Sequence, residues 1–540
     1  MKIIFLLIST SFILLSNNTQ AQLPSWLWVK GVGGNNFDVG NSICTDVDGN
    51  AIVVGNFTSD TIIFGADTNI SAVGSNIFIA KYNNAGNVLW YKCLGGPNRT
   101  FASSVCTDVE GNIIVTGFFI SPTITFGTIS LFNNTGGDNI FVVKYDSNGN
   151  VLWAKSAGSI SNNRAYGVCA NSNGNIIITG YFFHQITFGT ITLIGADTIQ
   201  SSLDLFLVKY DSTGNVLWAT SVGGHNNPGP VAQCVVSDPF GNIFITGIFL
   251  GPSITFGNTT LYNTDNSLTT QDVFIAKYDS SGNPLWAKSG RSNFMDYGNS
   301  ISTDANGNVF LIGSFTSDEI IFGNTNLFNS DVHFTKDIFI VKFDSSGNAL
   351  WMTNPAGGGD SGNGICTDGN GNVFVTGTID RDIFVAEYDN NGAELWTKST
   401  IDGNYSSGNS ICTDADGNVF VSGYFGFPSC TFDSITLANA GSQDIFIARL
   451  DSSFNTGLIN ENNSFNLFSI FPNPTQGNFI IKLNAEIKNA YAEIYNTLGE
   501  MVYSTTINKQ QTINNKFPTG IYFVKLTYNN KQFIQKLIEE

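Results

Sequence analysis

Charge is scarce in this chain. Asp, Glu, Lys and Arg make up 12% of its 540 residues, about half the share of an ordinary soluble protein. Positive charge is the scarcer kind, with 24 Lys and Arg against 42 Asp and Glu and a net charge of −18. Such a chain repels a phosphate backbone, so nucleic acid is not expected as a partner. Only three histidines occur, His184, His225 and His333. Their spacing fits no metal motif, and no metal or cofactor is expected. Beyond the N-terminus there is no apolar run long enough to span a bilayer as a helix, so no transmembrane segment is expected in the mature chain.

Gly, Asn, Ser and Thr stand where charge is missing, alongside 44 Phe. These residues favour turns and strands over helices. The first residues have a different character. Lys2 precedes an apolar run from Ile3 to Leu15, and Thr19-Gln20-Ala21 places small residues where a signal peptidase cuts. Residues 1–21 therefore read as a signal peptide, and the remainder as an exported chain.

The strongest signal is a repeat. A Gly-Asn pair before an apolar strand begins at Gly49, Gly111, Gly174, Gly241, Gly307, Gly371 and Gly417. A Phe in an alternating strand recurs at Phe78, Phe141, Phe206, Phe274, Phe339, Phe384 and Phe446, and a Trp at Trp28, Trp90, Trp153, Trp218, Trp286, Trp351 and Trp396. One unit reads as four antiparallel strands joined by tight turns, the pattern of a propeller blade. Trp28 precedes the first Gly-Asn turn, while the last Phe strand, 444–450, has no Trp strand after it. Pairing those two strands completes the last unit. The spacing thus predicts an all-β chain: a seven-bladed β-propeller over 22–452 whose N-terminal strand closes the last blade. Six units carry an insert such as Ile124-Thr125-Phe126-Gly127, read as an added hairpin, and the sixth unit lacks it.

The succession of Gly-Asn, an apolar strand ending in Thr-Gly, Asp-Ile-Phe-Ile-Ala-Lys-Tyr-Asp and Gly-Asn-x-Leu-Trp resembles the SBBP-type β-propeller repeat family. The resemblance covers Leu27 to about Asp451. It implies the propeller fold and an extracellular setting, and no defined activity.

After a polar linker at 453–466 the repeat stops. Phe471-Pro472-Asn473-Pro474-Thr475 opens a new pattern of strands, a small β-sandwich over 467–540. Pro472, Asn473 and Pro474, the turn at Gly499, the Pro518-Thr519-Gly520-Ile521-Tyr522 string and Lys536 closely resemble the type A sorting domain of the type IX secretion system. The resemblance implies passage across an outer membrane through that machinery, removal of the domain, and a propeller attached to the surface or released.

The sequence specifies no reaction. Cys44, Cys106, Cys169, Cys366 and Cys412 each lie five residues before a Gly-Asn glycine, which marks a small core position rather than a disulfide framework. Asp46-x-Asp48-Gly49 and Asp414-x-Asp416-Gly417 open like calcium loops, yet Phe57 and Phe425 stand where an EF-hand needs Glu. The Asp146–Trp153 run is similar to the Asp-box of sialidases with one residue too many, and Gly359-Asp360-Ser361-Gly362 echoes a serine-protease string without a suitable His. Five Arg occur, and Arg99, Arg164 and Arg291 all fall in connections from one unit to the next, on the rim that also bears the inserts. With Tyr166, His225, Tyr297 and Tyr405 they form the candidate ligand-binding set, since guanidinium groups beside aromatics suit glycan or peptide recognition. The expectation is a monomeric surface or secreted module for glycan or protein ligands. The alternatives are a polysaccharide hydrolase or lyase, and a purely architectural surface protein.

Overall fold

The computed structural model describes residues 23–451 and 468–539. Excepted are short stretches at 66, 71–73, 197–202, 224–228, 264–269, 331–334, 356–360, 401–404, 427, 474, 476, 484–489, 497–500, 515–516 and 529–530. The expected signal peptide and linker lie outside the described residues. The chain divides into two compact units, with one at Leu23–Ser453 and the second including Phe454–Glu540. Among the described residues the structure is all strand, without a helix.

The larger unit holds seven four-stranded antiparallel sheets among its described residues. In the first sheet Asp38–Thr45, Ala51–Phe57, Asn76–Tyr82 and Val88–Leu94 pair in that order. The next five repeat this meander. The seventh takes Ser407–Thr413, Val419–Gly426 and Gln443–Leu450 from the end of the repeat and Trp26–Val32 from its beginning. Trp28 pairs antiparallel with Arg449, and Gly31 with Phe446.

The turns explain why the repeat needs its Gly-Asn pairs. Asp46 N–H donates to Asn50 O at 3.0 Å, and Gly49 N–H donates to Asp46 O. The Asp46 carboxylate accepts the N–H groups of Asp48 and Asn50. Gly49 has φ +73°, a left-handed conformation that costs little only without a Cβ.

Second and third strands such as Ile113–Phe119 and Asn139–Tyr145 are buried at every position, because each sheet is covered by a neighbour on both faces. One apolar cluster joins Ile52 and Ile79 of the first sheet to Val105 and Val115 of the second. Another joins Val53 and Phe78 of the first to Phe420 and Ile445 of the seventh. The innermost strands also interlock through side chains. Asn41 Nδ2 donates to Ala102 O, and Thr107 Oγ1 to Thr45 O, between first and second sheets. Asn409 Nδ2 donates to Gly40 O, and Thr45 Oγ1 to Thr413 O, between seventh and first.

A second clamp joins the outer edges. Trp90 Nε1 of the first sheet donates to Ser147 O in a turn of the second at 3.2 Å, and Lys81 Nζ reaches the same carbonyl at 3.0 Å. Trp153 and Lys144 do the same at Ser212 O, Trp218 and Lys209 at Ser280 O, and Trp286 and Lys277 at Ser345 O. Trp351 and Lys342 meet at Asn390 O. Trp28 and Arg449, one from each end of the array, meet at Asn84 O of the first sheet.

Six of the seven sheets carry an added two-stranded hairpin. Its Phe packs on the Phe of the third strand, as in Phe126–Phe141 and Phe188–Phe206, with ring centroids 5.2 and 5.1 Å apart. The sixth sheet instead joins Val373–Ile379 to Asp382–Tyr388 through Asp380 and Arg381, at φ +51° and +74°. Positive φ at both central residues is the two-residue hairpin geometry that follows strand twist.

In the smaller unit a three-stranded sheet, Phe468–Phe471, Phe479–Leu483 and Gln510–Ile513, shares its core with a four-stranded sheet. Phe468, Ile481, Ile494, Val524 and Leu537 are buried between them.

Candidate functional site

In an antiparallel meander the ends of a sheet differ. The tight turns occupy one rim, and the sheet-to-sheet connections and the hairpins occupy the other. Arg99 and Arg164 stand on the connection rim, where the structure brings them together on one side chain. Asp138 lies just before the third strand of the second sheet, with its own side chain fully buried. Its N–H donates to Asn162 Oδ1, and its carbonyl accepts Asn163 N–H at 2.8 Å. Arg99 Nη2 donates to both carboxylate oxygens, at 3.2 and 2.9 Å, and Arg164 Nε donates to Oδ2 at 2.7 Å.

Both guanidinium groups lie over the Phe118 ring, at 5.4 Å for Arg99 and 4.6 Å for Arg164. Phe118 is itself stacked on Phe101 at 5.1 Å. Tyr166 packs on Tyr181 at 5.8 Å between centroids, with the Tyr166 hydroxyl beside the Arg164 guanidinium. Two cations thus share one carboxylate, leaving a formal charge of +1. The Arg99 side chain is 47% exposed, so that charge faces water.

The other candidates are placed separately. Arg291 is exposed in the connection from fourth to fifth sheet, its backbone paired with Ile321 of the fifth hairpin. It takes no part in the Asp138 cluster. Tyr297 lies under Lys336 Nζ at 5.0 Å, and Lys336 also donates to Ser361 Oγ. Burial holds the Lys336 ammonium below its ordinary pKa. Tyr405 lies under the Arg381 guanidinium at 4.6 Å. Both residues have positive φ, Arg381 as a central residue of its two-residue hairpin turn. His225 lies outside the described residues. Phe37, Phe294 and Met295 add exposed apolar surface at neighbouring connections.

Asp138, Phe118, Lys336 and Arg381 escaped the sequence reading. A signal existed, because the position three residues before the third-strand Phe reads Ser75, Asp138, Leu203, Gln271, Lys336, Arg381 and Gln443. The three ionisable exceptions all take part in these cation contacts.

The tight-turn rim is built differently. The Asp46 carboxylate pairs with Lys81 Nζ at 2.7 Å, and Asp108 with Lys144 at 2.8 Å. These Asp residues hold turns and anchor the lysine clamp. An open cleft of about 440 Å³ is lined by Glu110, Lys144, Trp153 and Thr213. The position a Cβ of Gly214 would take lies 2.9 Å from Trp153, and Tyr210 lies beside the same indole. Gly214 and Tyr210 leave little indole face for a ligand to stack on.

All eight cysteines are free thiols. In the smaller unit, Asn473 Oδ1 accepts the N–H of Ile538, and Tyr522 Oη donates to Pro518 O at 2.8 Å. Gly520 opens the strand Gly520–Tyr528. Pro474 and Gly499 of the expected sorting motif lie outside the described residues.

Residues 469–540 match the family described as the secretion system C-terminal sorting domain. That domain directs export by type IX secretion to the cell surface or the extracellular space, and implies contact with the secretion machinery. No helix among the described residues is long and apolar enough to cross a membrane.

The chain is 27% identical over 423 residues to an uncharacterised WD repeat-containing protein of Acanthamoeba polyphaga mimivirus. The match covers 66% of this chain and 30% of that protein's length. Among solved structures it is similar to Drosophila plexin A in complex with semaphorin 1b, with 7% identity, 79% and 88% coverage and a TM-score of 0.38. It is also similar to PorZ, a surface component of the type IX secretion system of Porphyromonas gingivalis. There the identity is 10%, the coverage 95% and 100%, and the TM-score 0.18.

Proposed function

We propose that the larger unit is a seven-bladed β-propeller of SBBP-type repeats, acting as a binding module displayed at the cell surface or released. The seven-bladed reading is supported by the clamp that carries Trp28 and Arg449 onto Asn84 O. It draws equally on the Asn409–Gly40 bond between the last and first inner strands. The domain limits follow: signal peptide to residue 21, propeller to 452, linker to 466, then the sorting domain.

The ligand is anionic and carries planar or apolar groups, as an acidic glycan or an acidic protein segment does. The observation that carries this reading is the Arg99–Asp138–Arg164 cluster. It presents an unmatched guanidinium charge over a stacked Phe pair, at an exported protein's connection rim. Guanidinium binds a carboxylate through two parallel hydrogen bonds. Tyr297, Tyr405 and Arg291 extend the same rim, as does His225 by its sequence position. Binding is preferred to hydrolysis because the carboxylate at the Arg pair has both oxygens held by guanidinium groups and no exposed surface for a substrate.

The test is an array of uronate-bearing glycans and acidic peptides probed with the full chain and with Arg99→Ala/Arg164→Ala. Retention of carboxylated probes by the parent alone supports the reading. Equal retention by both proteins, or by neither, refutes it.

A further inference from the structure

The hairpins carry a second pattern that the rim site does not use. Each hairpin buries alternate residues, Ile124, Phe126 and Leu131 in the second sheet, and turns the others to solvent. In three consecutive sheets the outward set has the same chemistry. A pair of hydroxyls faces across the strands: Thr125 and Ser130 at 2.9 Å, Thr187 and Thr192 at 2.9 Å, Thr255 and Thr260 at 3.0 Å. Two residues further along the second strand stands a large side chain: Phe132, Ile194 and Tyr262, with Phe328 in the next hairpin. These four are 63%, 70%, 69% and 65% exposed.

One exposed apolar residue needs no explanation, whereas four at one register of a repeat do. A hairpin needs its inward face for stability, and the outward face is free to carry charge. In the second, third and fourth sheets these outward faces carry none: Thr123, Thr125, Ser130 and Phe132; Gln185, Thr187, Thr192 and Ile194; Ser253, Thr255, Thr260 and Tyr262. Residues two apart on a strand stand about 7 Å apart. Each face therefore sets hydroxyl donors and acceptors beside an apolar plate at that distance.

We propose that these outward hairpin faces form a repeated docking surface for a neutral, hydroxyl-rich polysaccharide. The hydroxyl pair meets sugar hydroxyls, and the apolar plate meets the C–H face of a sugar ring. The faces fit an uncharged polymer because none of their outward residues is charged, so they hold no cation to meet a polyanion and no anion to meet a polycation. Repetition supplies the affinity that one small face lacks, since contacts along one polymer add as linked binding events. This surface uses none of the rim residues and does not rest on the anionic-ligand reading.

The experiment is affinity electrophoresis of the full chain through gels holding laminarin or xyloglucan, both neutral, with polygalacturonate as the charged control. The variants are Phe132→Ser, Ile194→Ser, Tyr262→Ser, their triple combination, and Arg99→Ala/Arg164→Ala. The exposed positions leave the fold intact, which far-UV circular dichroism and Tm verify. At least one neutral polymer should retard the parent, with about a threefold loss per single change and a loss of about thirtyfold or more in the triple variant. Retardation should be unchanged in the arginine variant and on raising salt from about 0.05 to 0.5 M. No retardation by either neutral polymer overturns the proposal. So does an unaltered triple variant, or binding that salt abolishes.

Discussion

Glu387 Oε2 accepts the indole N–H of Trp396 at 2.5 Å, inside one sheet. In the other sheets that indole reaches a turn carbonyl of the next sheet, and the residue matching Glu387 is Lys or Arg. The exception follows from the closure. The sheet after Trp396 is the seventh, whose third strand, Gln443–Leu450, is not joined to its fourth by a tight turn. Its partner Trp26–Val32 arrives from the other end of the chain, and Asp451 N–H meets Ser25 O there instead. Where no tight turn links the third strand to the fourth, the preceding sheet supplies its own acceptor.

That acceptor titrates. Burial pushes the Glu387 carboxyl up to about 7, with the charge of Asp368 adding and the bonds from Trp396 and Asn372 opposing. The folded chain keeps this proton up to about pH 7, whereas the unfolded chain loses it near 4.5. The stability tied to this group is therefore full below pH 4.5 and lost as pH rises to 7, by up to about 3 kcal/mol. Glu387→Gln keeps an oxygen for Trp396 and removes the proton. Its Tm should fall less than the parent's between pH 4.5 and 7.5 in a thermal melt series. Parallel curves would show that Glu387 ionises normally.

Glu387→Lys restores the residue that five other sheets use. It should nevertheless destabilise the protein by roughly 2–3 kcal/mol, because it buries an ammonium and strands the Trp396 N–H. Urea unfolding midpoints would measure the loss, and a more stable variant would contradict the account of the seam.

At the rim, Asp138→Asn leaves two guanidinium groups side by side over Phe118 without their shared anion. A loss of about 3 kcal/mol or more is expected, as for one partner removed from a buried pair. Arg99→Ala should cost less than about 1 kcal/mol, because Arg164 still holds the carboxylate and Arg99 is half exposed. Thermal melts of both variants would test the order. A costlier Arg99→Ala would place that side chain in a structural role.

Burial pushes the thiols of Cys44, Cys106, Cys169, Cys366 and Cys412 well above their ordinary range, and that of Cys93 up to about 12. Only the thiolate reacts. At pH 8 the native protein should react with Ellman's reagent over hours, whereas all eight thiols should react at once in guanidinium chloride. Rapid native reaction would mean that the inner strands open readily.

The repeat was legible because its demands are local. A turn that needs φ near +73° at Gly49 selects the same residue type in every unit, and a Phe126 that must cover Phe141 does so in every unit with a hairpin. The lysine clamp was hidden, since Lys81 spends its charge on Asp46 and on a backbone carbonyl 66 residues away. A carbonyl leaves no mark in a sequence. The rim was legible only in part. Arg99 and Arg164 stood out by rarity. Asp138, which joins them, was one aspartate among many, and it becomes visible only against its counterparts in other units.

The pairing of Trp26–Val32 with Gln443–Leu450 also sets an order of events. The strand that is made first must wait for a partner made more than four hundred residues later. Until then that strand has no partner to pair with, and unpaired strand edges of that kind recruit other chains. A product cut short anywhere ahead of Leu450 never escapes that condition. Complete synthesis is thus a precondition for a molecule that does not stick to its neighbours.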